Sequence, residues 1–340
     1  MNNISLVKNL SMPIQNQLKN LKKLPSHIAI GVSGGIDSAM LALIANQVTR
    51  EMGINLICFH INHGLHIDAD EWEKQVFFLA SLLKLKVYQK NIFIHKKNNY
   101  GLEAAARNER FKAFLNLANE HNIKHILLAH HQDDQAETVL MRLLRGTGLQ
   151  GIRAMLPITQ REGILYIRPW LEINRQYILN AGELFSKTNS WIAVNDPANF
   201  DSKYTRSIVR KELTPILNYR WPSWKKILSR HANHMAEIEE FIKEFVQLDL
   251  KKLSLNKDNR SLSLSKWRSL SYVRQVQILR YWLDFHGIYM LNHKWLKNLL
   301  RQLKQLHNFG FDRKMIVQHG NHQIFCHKNK IWIEICNKQK

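Results

Sequence analysis

Over its first 190 residues the chain alternates short apolar runs with stretches of helical spacing, and that alternation leaves few folds open. His27–Val32, Asn55–Ile61, Lys86–Ile92, Lys124–Ala129 and Tyr166–Trp170 have the length and content of strands. Between them Ser38–Arg50, Glu71–Leu83, Glu103–Asn119 and Asp134–Leu144 read as helices, with another around Arg175–Ser186. The pattern predicts an α/β fold: a Rossmann-like parallel sheet of about five strands with helices on both faces. Ligands of such sheets bind beyond the carboxyl ends of the strands.

From about Leu217 the pattern changes. After Tyr219-Arg220-Trp221-Pro222 the chain turns helical and rich in Trp, Lys and His. Ser223–Leu248 reads as one long helix, Ser265–His286 contains another, and Lys314–Ile335 has short β-like runs. Two domains are expected, a catalytic one over 1–215 and a basic, mainly helical one over 216–340. Charge supports the division. The formal net charge is +22, but residues 1–200 hold 22 Lys and Arg against 16 Asp and Glu, whereas residues 201–340 hold 27 against 11. A basic half beside a nearly balanced one suits a domain that grips a nucleic acid joined to one that does chemistry. Cys58, Cys326 and Cys336 form neither a CxxC pair nor a disulfide framework. The polar N-terminus lacks an apolar signal core, and no run of about 18 apolar residues occurs, so a cytoplasmic protein without a membrane partner is expected.

The strongest local signal is Ser33-Gly34-Gly35-Ile36-Asp37-Ser38, between a predicted strand and a predicted helix. Paired glycines let backbone N–H groups approach phosphate oxygens, and the helix start behind them favours an anion. No lysine follows, so the loop is not a Walker A motif. It suits a leaving pyrophosphate with the α-phosphorus open to attack, and Asp37 is the residue to hold Mg²⁺ against the phosphates. The bland alternative is a Ser/Gly turn that only caps a helix.

The segment His130-His131-Gln132-Asp133-Asp134 also ends a strand and opens a helix. Asp133 reads as the helix N-cap. Asp134 and Glu137, at i and i+3, share a face, where Mg²⁺ or the cationic end of an amine would be welcome. His130 reads equally as a phosphate contact or a structural histidine. Glu103, Arg107 and Arg110 fall at i, i+4 and i+7 on one helical face, either as a surface ion pair or as a phosphate-facing set. Arg145-Gly146-Thr147-Gly148 reads as an anion-contacting loop or a plain helix C-cap. Seventeen histidines are scattered, and His60 and His63 lack two further ligands at zinc-site spacing. Trp221, Trp224, Trp267, Trp282 and Trp295 read as core before they read as base-stacking platforms.

The Ser33–Ser38 hexapeptide resembles the SGGxDS signature of the PP-loop (N-type) ATP pyrophosphatases. His60-Ile61-Asn62-His63-Gly64-Leu65 is similar to an HxNHGLR element, and Glu103–Phe111 to an EAAARxxRY helix. Leu128–Met155 resembles the long signature of the lysidine synthetase branch of that class, and Arg168-Pro169-Trp170-Leu171, Arg175, Asp196–Asn199 and Thr205-Arg206 continue the series in order. His66 stands where the branch usually has Arg, and Ser207 where it has Asn. The resemblance implies ATP and Mg²⁺ as cofactors, with free L-lysine and the CAU-anticodon isoleucine tRNA as substrates. The wobble cytidine would be adenylated at its 2-position and then joined to lysine, releasing pyrophosphate and AMP and moving codon specificity from AUG to AUA.

Carried onto this sequence, the resemblance implies catalytic roles for Asp37, Asp134, Glu137 and Arg107, and ATP contacts from Ser33, Gly34, Gly35, Ile36, Asp37, Ser38 and His60. It implies substrate or tRNA contacts from His63, Arg110, His130, Arg145, Arg168 and Arg206, with Mg²⁺ at Asp37 and Asp134. A single accessory domain is expected, without the extra C-terminal domain of longer members. Two alternatives remain at this point: a cytidine 2-thiolase of the same class, which ordinarily needs paired cysteines, and an inactive RNA-binding module on the same scaffold.

Overall fold

The computed structural model describes residues 3–62, 64, 68–92, 102–197, 205–256, 260–288, 293–305 and 314–335, without the side chains of 3, 4, 102–104 and 293. The expectations for His63, His66, Asn199, Cys336 and the Glu103 side chain lie outside that set. The chain divides into two compact units, Met1–Ala236 and Glu237–Lys340.

In the first unit, helix α1 (Asn3–Lys19) precedes β1 (His27–Gly31), α2 (Ile36–Glu51), β2 (Asn55–Asn62), α3 (Ala69–Leu83), β3 (Lys86–Asn91), α4 (Leu102–Glu120), β4 (His125–Leu127) and α5 (Gln132–Leu144). The short α6 (Leu149–Ile152), the hairpin β5 (Ile158–Arg161) and β6 (Ile164–Ile167), α7 (Arg175–Asn189) and α8 (Thr205–Ile208) follow. A π-helical turn, Val209–Leu213, then leads into α9 (Thr214–Arg220) and α10 (Trp224–Leu253).

The sheet order is β3-β2-β1-β4-β6-β5, parallel except for β5, which pairs antiparallel with β6. The parallel sheet expected from the sequence is therefore present, with six strands. The fifth expected strand, Tyr166–Trp170, sits two residues early as β6, because Pro169 has no N–H to continue a ladder. Trp170 instead buries fully and donates its indole N–H to the Leu10 carbonyl at 2.9 Å.

Strand alternation sets the two faces. Ile28 and Ile30 of β1 join the core formed with α1, α2, α3 and α7, while Ala29 joins Phe111, Phe114 and Leu117 of α4 on the other side. On α1, Leu6, Leu10, Ile14 and Leu18 recur every fourth residue and are all buried. Helix α7 packs against α2 at Gly182, where a Cβ would lie 2.2 Å from Ile36. That close approach seats α7 against the first turn of α2.

The second unit takes in the end of α10, β7 (Ser261–Ser263), α11 (Leu264–Arg268), α12 (Tyr272–Phe285), α13 (His293–Gln305) and β8 (Met315–His319), β9 (His322–His327) and β10 (Lys330–Ile335). Its four strands form an antiparallel sheet, β7-β10-β9-β8, consistent with the β-like runs near the C-terminus. Trp267 and Trp282 are fully buried in its core with Leu262, Ile278, Leu299 and Leu303, so these tryptophans are packing residues. Among the described residues no helix is long and apolar enough to cross a membrane.

Candidate functional site

Sheet order fixes where a site can form. The chain runs from β1 outward to β2 and β3, then returns to the other side of β1 with β4. The crevice at that reversal lies between the carboxyl ends of β1 and β4, the ligand position of open α/β sheets. The two loops that leave those ends are Ser33–Ser38 and His130–Asp134.

The first loop is shaped by its own hydrogen bonds. Ser38 Oγ accepts from the Ser33 amide at 3.1 Å and donates to the Gly35 carbonyl at 3.0 Å, holding the turn closed. Gly34 has φ +85°, and a Cβ there would come within 2.7 Å of Val194, whose amide donates to the Gly34 carbonyl at 3.0 Å. The N-cap of α2 is Gly35, with no side chain capping the helix start. The free amide end of a 16-residue helix thus faces the crevice, as an anion site requires. At the end of β2, His60 Nδ1 donates to the Val32 carbonyl at 2.9 Å, which leaves Nε2 buried without a partner. Burial lowers the His60 pKa, against the raising effects of that bond and of Glu73, and keeps the ring neutral at pH 7. The glycine cradle, the open helix start and the orphaned Nε2 fit a nucleotide triphosphate.

The second loop brings acids to the same place. His131, not Asp133, is the N-cap of α5, and Asp134 closes a capping box by accepting from the His131 amide at 3.3 Å. The expected capping role of Asp133 is corrected, because the helix begins at Gln132 and leaves Asp133 to pair with Lys225 of α10. His131 Nε2 stands 3.7 Å from Asp37 Oδ1 and 3.4 Å from Asp134 Oδ2, bridging the two loops. Burial alone would lower the His131 pKa, but Asp134 and Asp37 raise it above its ordinary value.

Arginines hold the carboxylates. Arg175 at the start of α7 binds Asp37 through two 3.1 Å hydrogen bonds. Arg210, in the π-helical turn, binds Glu137 at 2.7 and 3.0 Å and Asp134 at 3.2 Å. Burial favours protonation of Asp37 and Asp134, yet His131 and the neighbouring arginines hold both below the usual carboxylate range. Both remain ionised at neutral pH.

A second group of arginines is paired less fully: among the described residues only Arg206 has a carboxylate partner, Glu137 at 3.4 Å. Arg107 and Arg110 of α4 lie with Arg168 after β6, Arg206 of α8 and Arg142 of α5 in one recess. Arg107 reaches solvent, yet desolvation on its inner side and then the other four guanidinium groups push it down to about 10, and burial does the same to Arg168. Both stay charged at pH 7. Arg168 donates to the Leu156 carbonyl and to Thr159, and Arg206 donates to Thr138 at 3.0 Å. The Nε atoms of Arg110 and Arg168 are nevertheless buried without a hydrogen-bond partner, as is Nδ1 of His130. Burial holds His130 well below its ordinary pKa, so it is neutral. With Arg107, Arg110 and Arg168 free of carboxylate partners among the described residues, the recess suits an anion.

The structure therefore brings Asp37, Asp134, Glu137 and the Ser33–Ser38 loop together at the crevice, and gathers Arg107, Arg110, Arg168, Arg206 and His130 in the recess. Arg145 is exposed at the C-cap of α5, where Gly146 takes φ +70°. His131, Arg175 and Arg210 had no assigned role in the sequence reading. For Arg210 a signal was present, since it follows Arg206 by four residues and so shares its helical face. Among the described residues no group of three or more His, Cys, Asp or Glu could hold a metal by itself. A Mg²⁺ ion would take its remaining ligands from substrate phosphates, its usual arrangement, and the partly exposed Asp37 beside the open helix start is the carboxylate placed for that.

Residues 8–217 match the PP-loop domain family, and residues 262–332 match the TilS substrate binding domain. Over 325 residues the chain is 44% identical to the tRNA(Ile)-lysidine synthase of Bordetella parapertussis, spanning 96% of this chain and 94% of that one. It is 31% identical to the protein of the same name from Histophilus somni, over 94% of this chain and 73% of that one. Among solved structures it resembles the U34-tRNA thiolase NcsA from Methanococcus maripaludis, with TM-score 0.57 and 16% identity, over 69% of this chain and 81% of that one. At that identity the likeness is one of fold.

Proposed function

The chain belongs to the tRNA(Ile)-lysidine synthase family of PP-loop enzymes, and on that premise we propose that it joins free L-lysine to C2 of the wobble cytidine in the CAU-anticodon isoleucine tRNA. ATP is the activating substrate, used with Mg²⁺ as in the PP-loop class. In the first step the cytidine 2-oxygen bonds to the α-phosphorus and the bond to pyrophosphate breaks. In the second, the ε-amine of lysine bonds to C2 as AMP leaves with the oxygen. The reader of AUG becomes a reader of AUA, and the reaction belongs in the cytoplasm, with the tRNA pool.

Each group has a part in this scheme. The Ser33–Ser38 loop and the α2 amides hold the phosphates, with His60 Nε2 as an acceptor or ligand contact at the same edge. Mg²⁺ at Asp37 would neutralise charge on the departing pyrophosphate. Asp134 and Glu137 bind the ammonium of lysine and take up its proton, in the place that Arg210 fills here. The arginine recess holds RNA phosphate so that a splayed-out cytidine reaches the crevice. No protein nucleophile is required, since positioning and charge carry the reaction.

The observation that supports this reading best is the His131 bridge, 3.7 Å to Asp37 and 3.4 Å to Asp134, which sets the nucleotide loop and the amine-binding acids beside one another. The test is incubation with α-labelled ATP, labelled lysine and the isoleucine tRNA. AMP, pyrophosphate and lysine incorporated into RNA are expected in equal amounts, and ADP as the product would overturn the reading.

The thiolase alternative fits less well. Cys58 of β2 points into the core, and burial pushes its thiol up to about 12; Cys326 lies in the second unit's core and rises to about 11. Neither is a sulfur carrier at neutral pH. An inactive binding module would have no use for Asp37, Asp134 and Glu137, which repel RNA.

A further inference from the structure

Asp37, the carboxylate placed for Mg²⁺, has both its oxygens engaged. Arg175 donates from Nε to Oδ1 and from Nη2 to Oδ2, each at 3.1 Å, and His131 Nε2 stands 3.7 Å from Oδ1. The guanidinium fork is held by little else. Among the described residues Arg175 hydrogen-bonds only to Asp37, and its side chain is 37% exposed. The backbone beneath it is fixed. Arg175 is the first residue of α7, whose N-cap Asn174 accepts from the Gln176 amide at 2.9 Å, and Gly182 seats that helix against Ile36 in the first turn of α2. A long, exposed side chain on a fixed base can change partners without moving the backbone.

Mg²⁺ bonds to carboxylate oxygen at about 2.0–2.1 Å, so an ion on Asp37 would lie close beside this guanidinium. Two cations at such range repel, and Arg175 has to release the carboxylate before the metal can take it. The fold supplies a destination. Asp37 is the second residue of α2, and the open amide end of that helix, next to Ser33–Gly35, is the phosphate site. A planar fork of parallel donors fits a phosphate as well as it fits a carboxylate. We propose that Arg175 is a substrate-binding residue that guards Asp37 and moves its fork onto the triphosphate when metal and nucleotide enter. The proposal rests on the function proposed above and on Asp37 as the metal carboxylate. It makes metal entry depend on the nucleotide, because the triphosphate offers Arg175 a replacement anion. A salt bridge that merely fastens α7 to α2 involves no such exchange.

The test uses the full chain without tRNA or lysine. Mn²⁺ is the metal probe, followed by the EPR signal of the free ion, and α,β-methylene ATP is a nucleotide that cannot lose pyrophosphate. Arg175→Gln uncovers Asp37 and removes the phosphate contact. Mn²⁺ alone should bind this variant about tenfold more tightly than the unaltered chain, and the nucleotide with Mg²⁺ about tenfold more weakly, one charged hydrogen bond in each direction. Arg175→Lys keeps a cation without the fork, and should shift both affinities in the same senses by less, so the test stands if the glutamine variant fails to fold by circular dichroism. Loss of a purely structural bridge would weaken both together. Shifts in the same direction, a shift in only one affinity, or no shift would overturn the exchange. Adding Asp37→Asn to Arg175→Gln should erase the gain in Mn²⁺ affinity; a gain that survives would put the metal elsewhere and overturn the proposal with its premise. Neither lysine nor RNA takes part, so failure here is distinct from failure of the proposed reaction, which is read from its labelled products.

Discussion

Arg210 forms three hydrogen bonds to Asp134 and Glu137, and joins His131 and Arg206 in holding Asp134 below the usual carboxylate range. Two carboxylates on one helical turn repel each other unless a cation lies between them. Replacing Arg210 with Gln should cost about 1–3 kcal/mol at neutral pH, because three charged hydrogen bonds are lost and the two buried acids keep only the longer contacts from His131 and Arg206. The sign with pH follows from the depressed Asp134 pKa. Its stabilisation is present above the unfolded carboxylate value of about 4 and is lost as pH falls through the folded value. The deficit of Arg210→Gln should therefore be largest near pH 7 and shrink on acidification, as urea melts at several pH values would show; a deficit that grows on acidification would refute it. Asp37→Asn makes a different point. It should reduce AMP formation to below about 1% while tRNA affinity stays within a few-fold, since this carboxylate does not attract RNA. Near-normal turnover would leave Asp37 a helix-terminal residue only. The shared face of Asp134 and Glu137 was legible from their spacing. Their partners were not, because Arg210 lies 73 and 76 residues away and Arg175 lies 138 residues from Asp37.

At the scale of elements, alternation of strands and helices was enough to give the parallel sheet, since each crossover helix returns the chain to the same end of the sheet. Hairpin β5–β6 was harder to read. Its two-residue turn, Glu162-Gly163, has both residues at positive φ, 51° and 82°, which is the geometry of a tight hairpin turn. Asn-Gly or Asp-Gly signals that turn clearly, whereas Glu-Gly does so weakly. The glycine of the nucleotide loop was legible by residue type, but its neighbour Val194 lies on a segment 160 residues further on and was not. Gly34→Ala combines a φ of +85° with a Cβ 2.7 Å from Val194. Strain of this kind costs about 1–3 kcal/mol. It should appear as a lowered melting temperature together with a loss of ATP-induced stabilisation. Unchanged ATP binding in this variant would show that the loop does not need its tight turn.

At the scale of the whole molecule, the residues that fold with the nucleotide site extend beyond its motifs. The first half of α10 belongs with that unit. Lys225 pairs with Asp133, Asn233 donates to Glu172 at 2.6 Å, and Ala232 is fully buried against Val139 and Ala154 of the first unit. A chain cut near residue 216 would strip these contacts, so a test of divided labour should end the chain after Ala236. Residues 237–340, which that cut removes, carry 19 Lys and Arg against 9 Asp and Glu, and this excess is the source expected for most of the tRNA affinity. The shortened chain should keep its nucleotide loop, His131 bridge and arginine recess, and should bind ATP with near-unchanged affinity. Its affinity for tRNA should fall by an order of magnitude or more, with a shallower dependence on salt, because fewer counterions are released. Circular dichroism and the ATP measurement together establish that the fragment is folded. If that folded fragment bound tRNA as tightly as the full chain, with the same salt slope, the basic region would serve solubility or assembly. The arginine recess would then carry RNA recognition alone.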